Sequence, residues 1–222
     1  MDNKILINLK STSGNISGVG YYTSNLFNVL KQLSGINLYG VVDLVDNEIV
    51  QDISQALDKK LFTFNKKVKK DFSIFKYNNF IENILTSYNF DIYIEPNNLF
   101  LLNKNKLGKI KIVTIIHDIF PIVYPSYTSF LYNKYFKFYL RKTITYSDKF
   151  IFVSKATRES FYCENSSNNI KKDSMIIYND VSHLESKKVN KEDIRDDKYF
   201  LYIGNLEKRK GIDILLNVFD TQ

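Results

Sequence analysis

The chain has one cysteine, Cys163, and two histidines, His117 and His183, among its 222 residues. A lone cysteine forms no internal disulfide, and these few side chains do not furnish a structural zinc site of the usual ligand count. Such sparing use of cysteine suits a reducing cytoplasm. Long apolar stretches are also missing. The best run, Ile110 to Ile116, is short and carries Lys111, well below the roughly 20 residues that a membrane-spanning helix needs. Met1 to Lys10 has one apolar run broken by Asn8 and no small-residue cleavage site, so it reads as a first strand and not as a signal peptide. There is no Asp-x-Asp pair of the kind that holds Mg²⁺ on a diphosphate, and neither a metal nor another cofactor is expected. No G-x-S-x-G elbow supports a nucleophilic triad, and Cys163, beside Phe161 and Tyr162 near a helix end, reads as a buried structural thiol. No internal repeat is visible.

What is present is the material of a globular α/β protein. Hydrophobic residues make up 44% of the chain, and a chain of this length buries roughly 70% of its unfolded surface, so a core forms without staples. Lys and Arg number 31 against 24 Asp and Glu, a formal net charge of +7. The charge is spread along the chain, which fits a solvated face better than a nucleic-acid stripe. It leaves phosphate-bearing ligands and an anionic membrane surface open.

Apolar runs alternate with helical periodicity. Lys4 to Leu9, Asn37 to Asp43, Lys60 to Phe64, Asp91 to Ile94, Ile110 to Ile116, Lys149 to Val153 and Ser174 to Tyr178 read as strands. Tyr22, Leu26, Leu30 and Leu33 mark a helix between the first two. Further helices are expected over Ile74 to Tyr88, Tyr127 to Tyr146 (with a buried aromatic face) and Lys155 to Tyr162. Continuous apolar strands without polar alternation belong to a parallel sheet covered on both faces, so the expected class is α/β, a doubly wound Rossmann-like sheet over residues 1–179. Residues 180–198 are almost wholly polar and read as a linker. Residues 199–222 begin a second unit: strand Tyr199 to Ile203, basic turn, and helix Ile212 to Phe219.

Ligands of such sheets bind outside the carboxyl ends of the strands. The residues there are Gly14, Gly18 and Gly20 after the first strand, Glu95, Asn97 and Asn98 after another, then His117 with Asp118, and Ser154. Glycines opening a helix suit an anion such as a diphosphate. The dinucleotide fingerprint fails because Thr23 stands where its third glycine belongs. His117 at a strand end can hydrogen-bond a substrate hydroxyl and be oriented by Asp118, although Asp118 can equally cap the turn before Pro121. The turn Glu207-Lys208-Arg209-Lys210-Gly211 can neutralise a pyrophosphate or be an exposed charged turn. The aromatic and basic stretch Tyr127 to Tyr146 also has the composition of a helix lying on an anionic membrane.

In chain order, Ser17-Gly-Val-Gly-Tyr-Tyr-Thr-Ser-Asn-Leu26, Ile94-Glu-Pro-Asn-Asn98, Ile116-His-Asp-Ile-Phe-Pro121, Ser147-Asp-Lys-Phe-Ile-Phe-Val-Ser154, Ile176-Ile-Tyr-Asn179 and Phe200-Leu-Tyr-Ile-Gly-Asn-Leu-Glu-Lys-Arg-Lys-Gly211 resemble the family-4 glycosyltransferases of the two-domain GT-B fold. The resemblance covers the N-terminal domain and the opening of the C-terminal one. It implies metal-independent, usually retaining transfer of a sugar from a nucleoside diphosphate donor to a glycan or lipid-linked acceptor, in the cytoplasm or at the inner face of the cell membrane. By motif match, Gly18 and Gly20 approach the donor phosphates and His117, with Asp118, is the catalytic pair at the transferred sugar. Arg209 and Lys210 offset the leaving diphosphate, and Tyr21, Glu95, Asn97 and Asn98 belong to the acceptor side. The family's paired donor-site glutamates lie beyond Gln222, so the chain alone is expected to be inactive. Asn205 and Asn179-Asp180 also depart from the common pattern. The alternative is a non-catalytic acceptor-binding or regulatory module that partners a complete enzyme.

Overall fold

The computed structural model describes residues 2–64, 70–165, 172–180, 201–204 and 206–220. Strands β1 (Asn3–Asn8), β2 (Ile36–Val42), β3 (Leu61–Thr63), β4 (Ile92–Glu95), β5 (Lys111–Ile116), β6 (Lys149–Phe152) and β7 (Asp173–Ile176) form one sheet in the order β3-β2-β1-β4-β5-β6-β7. Every pairing is parallel. Helices α1 (Gly18–Leu30), α2 (Glu48–Leu57), α3 (Lys70–Ser87), α4 (Lys104–Leu107), α5 (Phe120–Val123), α6 (Phe130–Tyr146) and α7 (Lys155–Glu164) lie between the strands, and α8 (Ile212–Asp220) follows. This is the doubly wound Rossmann-like architecture read from the sequence. The chain winds outward from β1 to β3 and then lays β4 on the other flank of β1, so the topological switch lies between β1 and β4.

Alternation along each strand decides which helical layer a residue meets. Ile5, Ile7 and Leu9 pack with Phe27 of α1 and with Val50, Ile53 and Leu57 of α2. Leu6 faces the other way and packs with Tyr93, Ile112 and the α3 residues Tyr77, Ile81 and Leu85. A third cluster joins Ile116, Phe150 and Phe152 to Phe136, Leu140 and Ile144 of α6 and Phe161 of α7.

Four local expectations are corrected. Helix α2 was not anticipated; Asn47 starts it by accepting from Val50 N at 3.0 Å, and Val50, Ile53 and Leu57 bury its inner face. Helix α6 begins at Phe130 and not Tyr127, because Pro125 opens a separate 3₁₀ turn and Ser129 provides the cap. The buried stripe of α6 is Asn133, Phe136, Leu140, Thr143 and Ile144, so most of its aromatic residues face outward. Cys163 is exposed, because α7 spends its inward position on Phe161 and two residues on the helix has turned away.

Of the expected linker, 180–198, all but Asp180 lies outside the described residues, His183 with it, as do Tyr199, Phe200 and Asn205. Leu201 to Ile203 are not in a strand: no described segment pairs with them, and unpaired backbone groups do not make a ladder. No helix among the described residues is long and apolar enough to cross a membrane.

Candidate functional site

The switch point carries a cleft of about 330 Å³ lined by residues from the ends of β1 and β4 and from α3 and α6, among them Asn8, Lys10, Tyr77, Glu95, Asn97, Asn98 and Tyr132. That volume falls within the range of small-molecule sites, about 300–1,000 Å³. Glu95 is not past the strand, as the sequence suggested, but is the last residue of β4 and is 5% exposed. Four groups donate to its carboxylate: Asn8 Nδ2 at 3.1 Å, Tyr93 Oη at 2.7 Å, and Asn97 through its backbone N at 3.2 Å and Nδ2 at 3.1 Å. Burial nevertheless wins and pushes the carboxyl above its ordinary value, against the lowering effect of these hydrogen bonds.

Asn8 is held in turn, its Oδ1 accepting from Tyr77 Oη at 2.9 Å and Lys10 N at 3.1 Å. Lys10 Nζ lies 4.8 Å from the Tyr77 ring centroid and brings a cation to the cleft wall. Asn8, Lys10, Tyr77 and Tyr132 were not picked out from sequence. Asn8 read as an interruption of an apolar run, and that interruption, a polar residue inside an otherwise buried strand, was the available signal.

His117 follows β5. Its backbone N donates to Asn98 Oδ1 at 2.6 Å, and its carbonyl accepts from Thr157 Oγ1 at 3.0 Å. Nε2 lies 2.8 Å from the Pro96 carbonyl, which only accepts, so Nε2 carries the proton and Nδ1 is the ring's acceptor. Tyr22 meets the imidazole edge to face at 5.1 Å, and its hydroxyl is pushed up to about 12 by burial. Burial also lowers the His117 pKa, opposed by the Pro96 carbonyl and the Asp118 charge, so the ring is neutral at pH 7.

Asp118 does not orient the imidazole by a hydrogen bond. Its Oδ1 accepts from Phe120 N at 3.1 Å and caps the turn, the second of the two roles open to it from sequence. The imidazole is positioned by Pro96 instead, and the motif's Asn98 fixes the strand end. A second depression of about 230 Å³ is lined by Asp118, Phe120, Tyr124 and Thr157, among others.

The loop before α1 is pinned to the loop before α2. Gly14 adopts φ +67°, the left-handed region, and its N–H donates to Asp46 Oδ1 at 3.0 Å, while Asn47 Nδ2 donates to Thr12 O at 2.8 Å. Gly20 has no room for a side chain, because an added Cβ would collide with the Ser11 carbonyl and approach Ile16. At Gly18 an added Cβ would meet nothing within 4 Å. We expect Gly20→Ala to destabilise the domain by about 2–4 kcal/mol, because a backbone carbonyl cannot step aside cheaply, and Gly18→Ala to change stability by about 1 kcal/mol or less, in the stabilising direction. Urea unfolding of both variants checks this. Equal losses would mean that the loop yields around Gly20.

The remaining sequence candidates divide. The Arg209 guanidinium lies 4.9 Å from the Phe120 ring centroid, which brings the basic turn to the segment that begins with His117, and its Nε also pairs with Glu207. Lys210 is exposed. Tyr21 lines a separate depression between α1 and α2 with Asn25, Lys31 and Asp52, so it is not gathered with Glu95, Asn97 and Asn98. Among the described residues no three of His, Cys, Asp and Glu come close enough to hold a metal ion.

No protein-family profile matches the sequence, and no curated protein aligns with it significantly. Solved structures do share the fold. A UDP-N-acetylglucosamine 2-epimerase superposes with a TM-score of 0.53 at 11% identity, over 80% of this chain and 48% of its own. The UDP-GlcNAc 2-epimerase of Neisseria meningitidis, bound to UDP-GlcNAc, gives 0.52 at 12% identity, over 79% and 47%. HepE of Anabaena, in complex with UDP and glucose, gives 0.48 at 16% identity, over 80% and 44%. The chain thus spans about half the length of each of these structures, and the likeness is one of fold.

Proposed function

We propose that the chain is the acceptor-side domain, with the opening of the donor side, of a family-4 type GT-B glycosyltransferase. It transfers a hexosyl group, with retention and without a metal, from a nucleoside diphosphate sugar to a glycan or lipid-linked acceptor. One observation carries the reading: the Arg209 guanidinium rests on Phe120, three residues past His117, so a cation of the second unit lies against the segment that follows the strand-end histidine of the first. Positive charge beside the point where a diphosphate leaves is the usual source of rate in such transfers. The order of the motifs supports it, and so does the position of the cleft at the switch point. A UDP-sugar as donor is consistent with the nucleotide sugar in the Neisseria epimerase, whose fold this chain shares.

Each residue then has a task. The cleft holds the acceptor, with Tyr132 offering a ring face and Asn97 and Lys10 offering donors to hydroxyl oxygens. His117 Nδ1 accepts from a hydroxyl of the transferred sugar. Gly18 and Gly20 leave backbone N–H groups at the start of α1 for the donor phosphates, and Arg209 and Lys210 offset the charge that builds on the leaving diphosphate. The chain by itself binds acceptor.

Titrating a panel of oligosaccharides and short-chain polyprenyl phosphosugars into the chain tests this. Saturable binding is expected, weakened about tenfold by Tyr132→Ala through the lost ring contact. If none of them binds, the cleft is not an acceptor site. Binding of acceptor with no transfer, even when a complete donor domain is supplied, would favour the non-catalytic module.

A further inference from the structure

The outward face of α6 is unusual for a protein surface. Phe130 is 69% exposed, Leu131 77% and Phe138 54%, and the preceding loop leaves Tyr124 and Tyr127 about half exposed. Contiguous exposed apolar surface of this kind marks a binding surface. Lys134, Lys137 and Arg141 are exposed on the same helix, and Lys142 is half-buried. From Ile119 through Ser147 there is no Asp or Glu, in a chain that has 24 of them. The cations and rings are interleaved: Lys134 Nζ lies 4.4 Å from the Phe130 centroid and Lys142 Nζ 4.8 Å from that of Phe138. The inner stripe, centred on Phe136 and Leu140, anchors the helix to the domain and leaves the outer face presented as a rigid unit.

We propose that this face docks the protein on an anionic phospholipid bilayer. Water leaves Phe130, Leu131 and Phe138 uncovered, and a neutral protein groove leaves four cations without partners. A negatively charged membrane interface satisfies both, taking the apolar side chains into the boundary of the acyl chains while the lysine stems extend to the phosphates. The absence of any carboxylate across 29 consecutive positions, Ile119 to Ser147, removes the repulsion that such a surface would otherwise exert. Tyr132, at the margin of this face, also lines the switch-point cleft, so docking holds the cleft mouth close to the headgroups. The inference stands whether or not the chain takes part in sugar transfer.

Co-sedimentation of the purified chain with phosphatidylcholine vesicles, with and without phosphatidylglycerol, decides it. Binding is expected only with the anionic lipid and is expected to fall as salt is added. Lys134→Gln with Lys137→Gln should weaken partitioning by about 25-fold, at about fivefold per charge. Leu131→Ser with Phe138→Ser should abolish it with the circular dichroism spectrum unchanged, since all four side chains are exposed. Lys59→Gln with Lys109→Gln removes the same charge from exposed positions elsewhere and should have little effect. Equal binding to both kinds of vesicle, or variants that bind like the parent, overturns the proposal. So does a dimer in light scattering that the Leu131 and Phe138 variant dissolves while vesicle binding persists, because the face then belongs to a second copy.

Discussion

His117→Ala is expected to lower the turnover of a transferase assembled from this chain and a complete donor side by about a hundredfold or more, with the fold retained. The imidazole is fixed three ways: Asn98 and Thr157 hold its backbone, and Pro96 holds Nε2. What alanine removes beyond one part-buried hydrogen bond, worth about 1 kcal/mol, is Nδ1 as an acceptor at the crest of the sheet. The pH profile offers an independent reading. Burial lowers the pKa, so the neutral ring persists below the ordinary 6.5 and turnover should fall only on the acid side of that value, as Nδ1 takes a proton and stops accepting. The same sign applies to stability. A group that binds protons more readily when unfolded contributes less as pH falls through this window. Steady-state rates of the variant, together with the parent's acid limb, check the assignment; an unchanged kcat would remove His117 from the chemistry.

Glu95 is the position where the largest loss of stability is expected. Glu95→Ala leaves Asn8 Nδ2, Tyr93 Oη and both donors of Asn97 without their acceptor beneath the cleft floor, at a cost of about 3–4 kcal/mol. For a domain stable by about 5–15 kcal/mol that is a large fraction. Glu95→Gln keeps one acceptor oxygen for these donors, so its cost should be smaller than that of alanine. The pair also has a pH signature. The folded pKa is raised, so this group's contribution is fully present below its ordinary value near 4.5 and is lost as pH rises through the raised value. Urea titrations from acid to neutral pH should show that decline in the parent and not in Glu95→Gln. The same slope in both would mean that the proton resides elsewhere.

The strands were legible because parallel strands covered on both faces need apolar runs with no alternation, and each run ends within a residue or two of where the sheet does. Helix α2 was missed although Asn47, Val50, Ile53 and Leu57 carry the cap and the spacing. Site residues were legible by position, next to the ends of the strands, but not by partner. Asp118 follows His117 directly, yet successive residues leaving a strand point opposite ways, and it is Pro96, from the neighbouring strand's loop, that meets the ring. For the same reason Tyr22 touches the imidazole while Tyr21 lies elsewhere. The network of Asn8, Tyr77 and Glu95 joins residues up to 87 positions apart, a relation no local pattern carries.

The placement of β4 beside β1 also sets a clock for biosynthesis. Ile5 pairs with Ile92 and Ile7 with Ile94, so the flank of β1 that will face β4 stays open on the ribosome until more than ninety residues have been made. At about 5–20 residues per second that is an interval on the order of ten seconds. Throughout it β1 and β2 can form only half of the sheet, with Leu6 and Val41 uncovered on the side that α3 and β4 later close. A ribosome pause after β4 has cleared the exit tunnel would give this nascent sheet time to acquire its central strand before β5 emerges, whereas a pause while β4 is still inside the tunnel would prolong the exposure to chaperones and to neighbouring nascent chains.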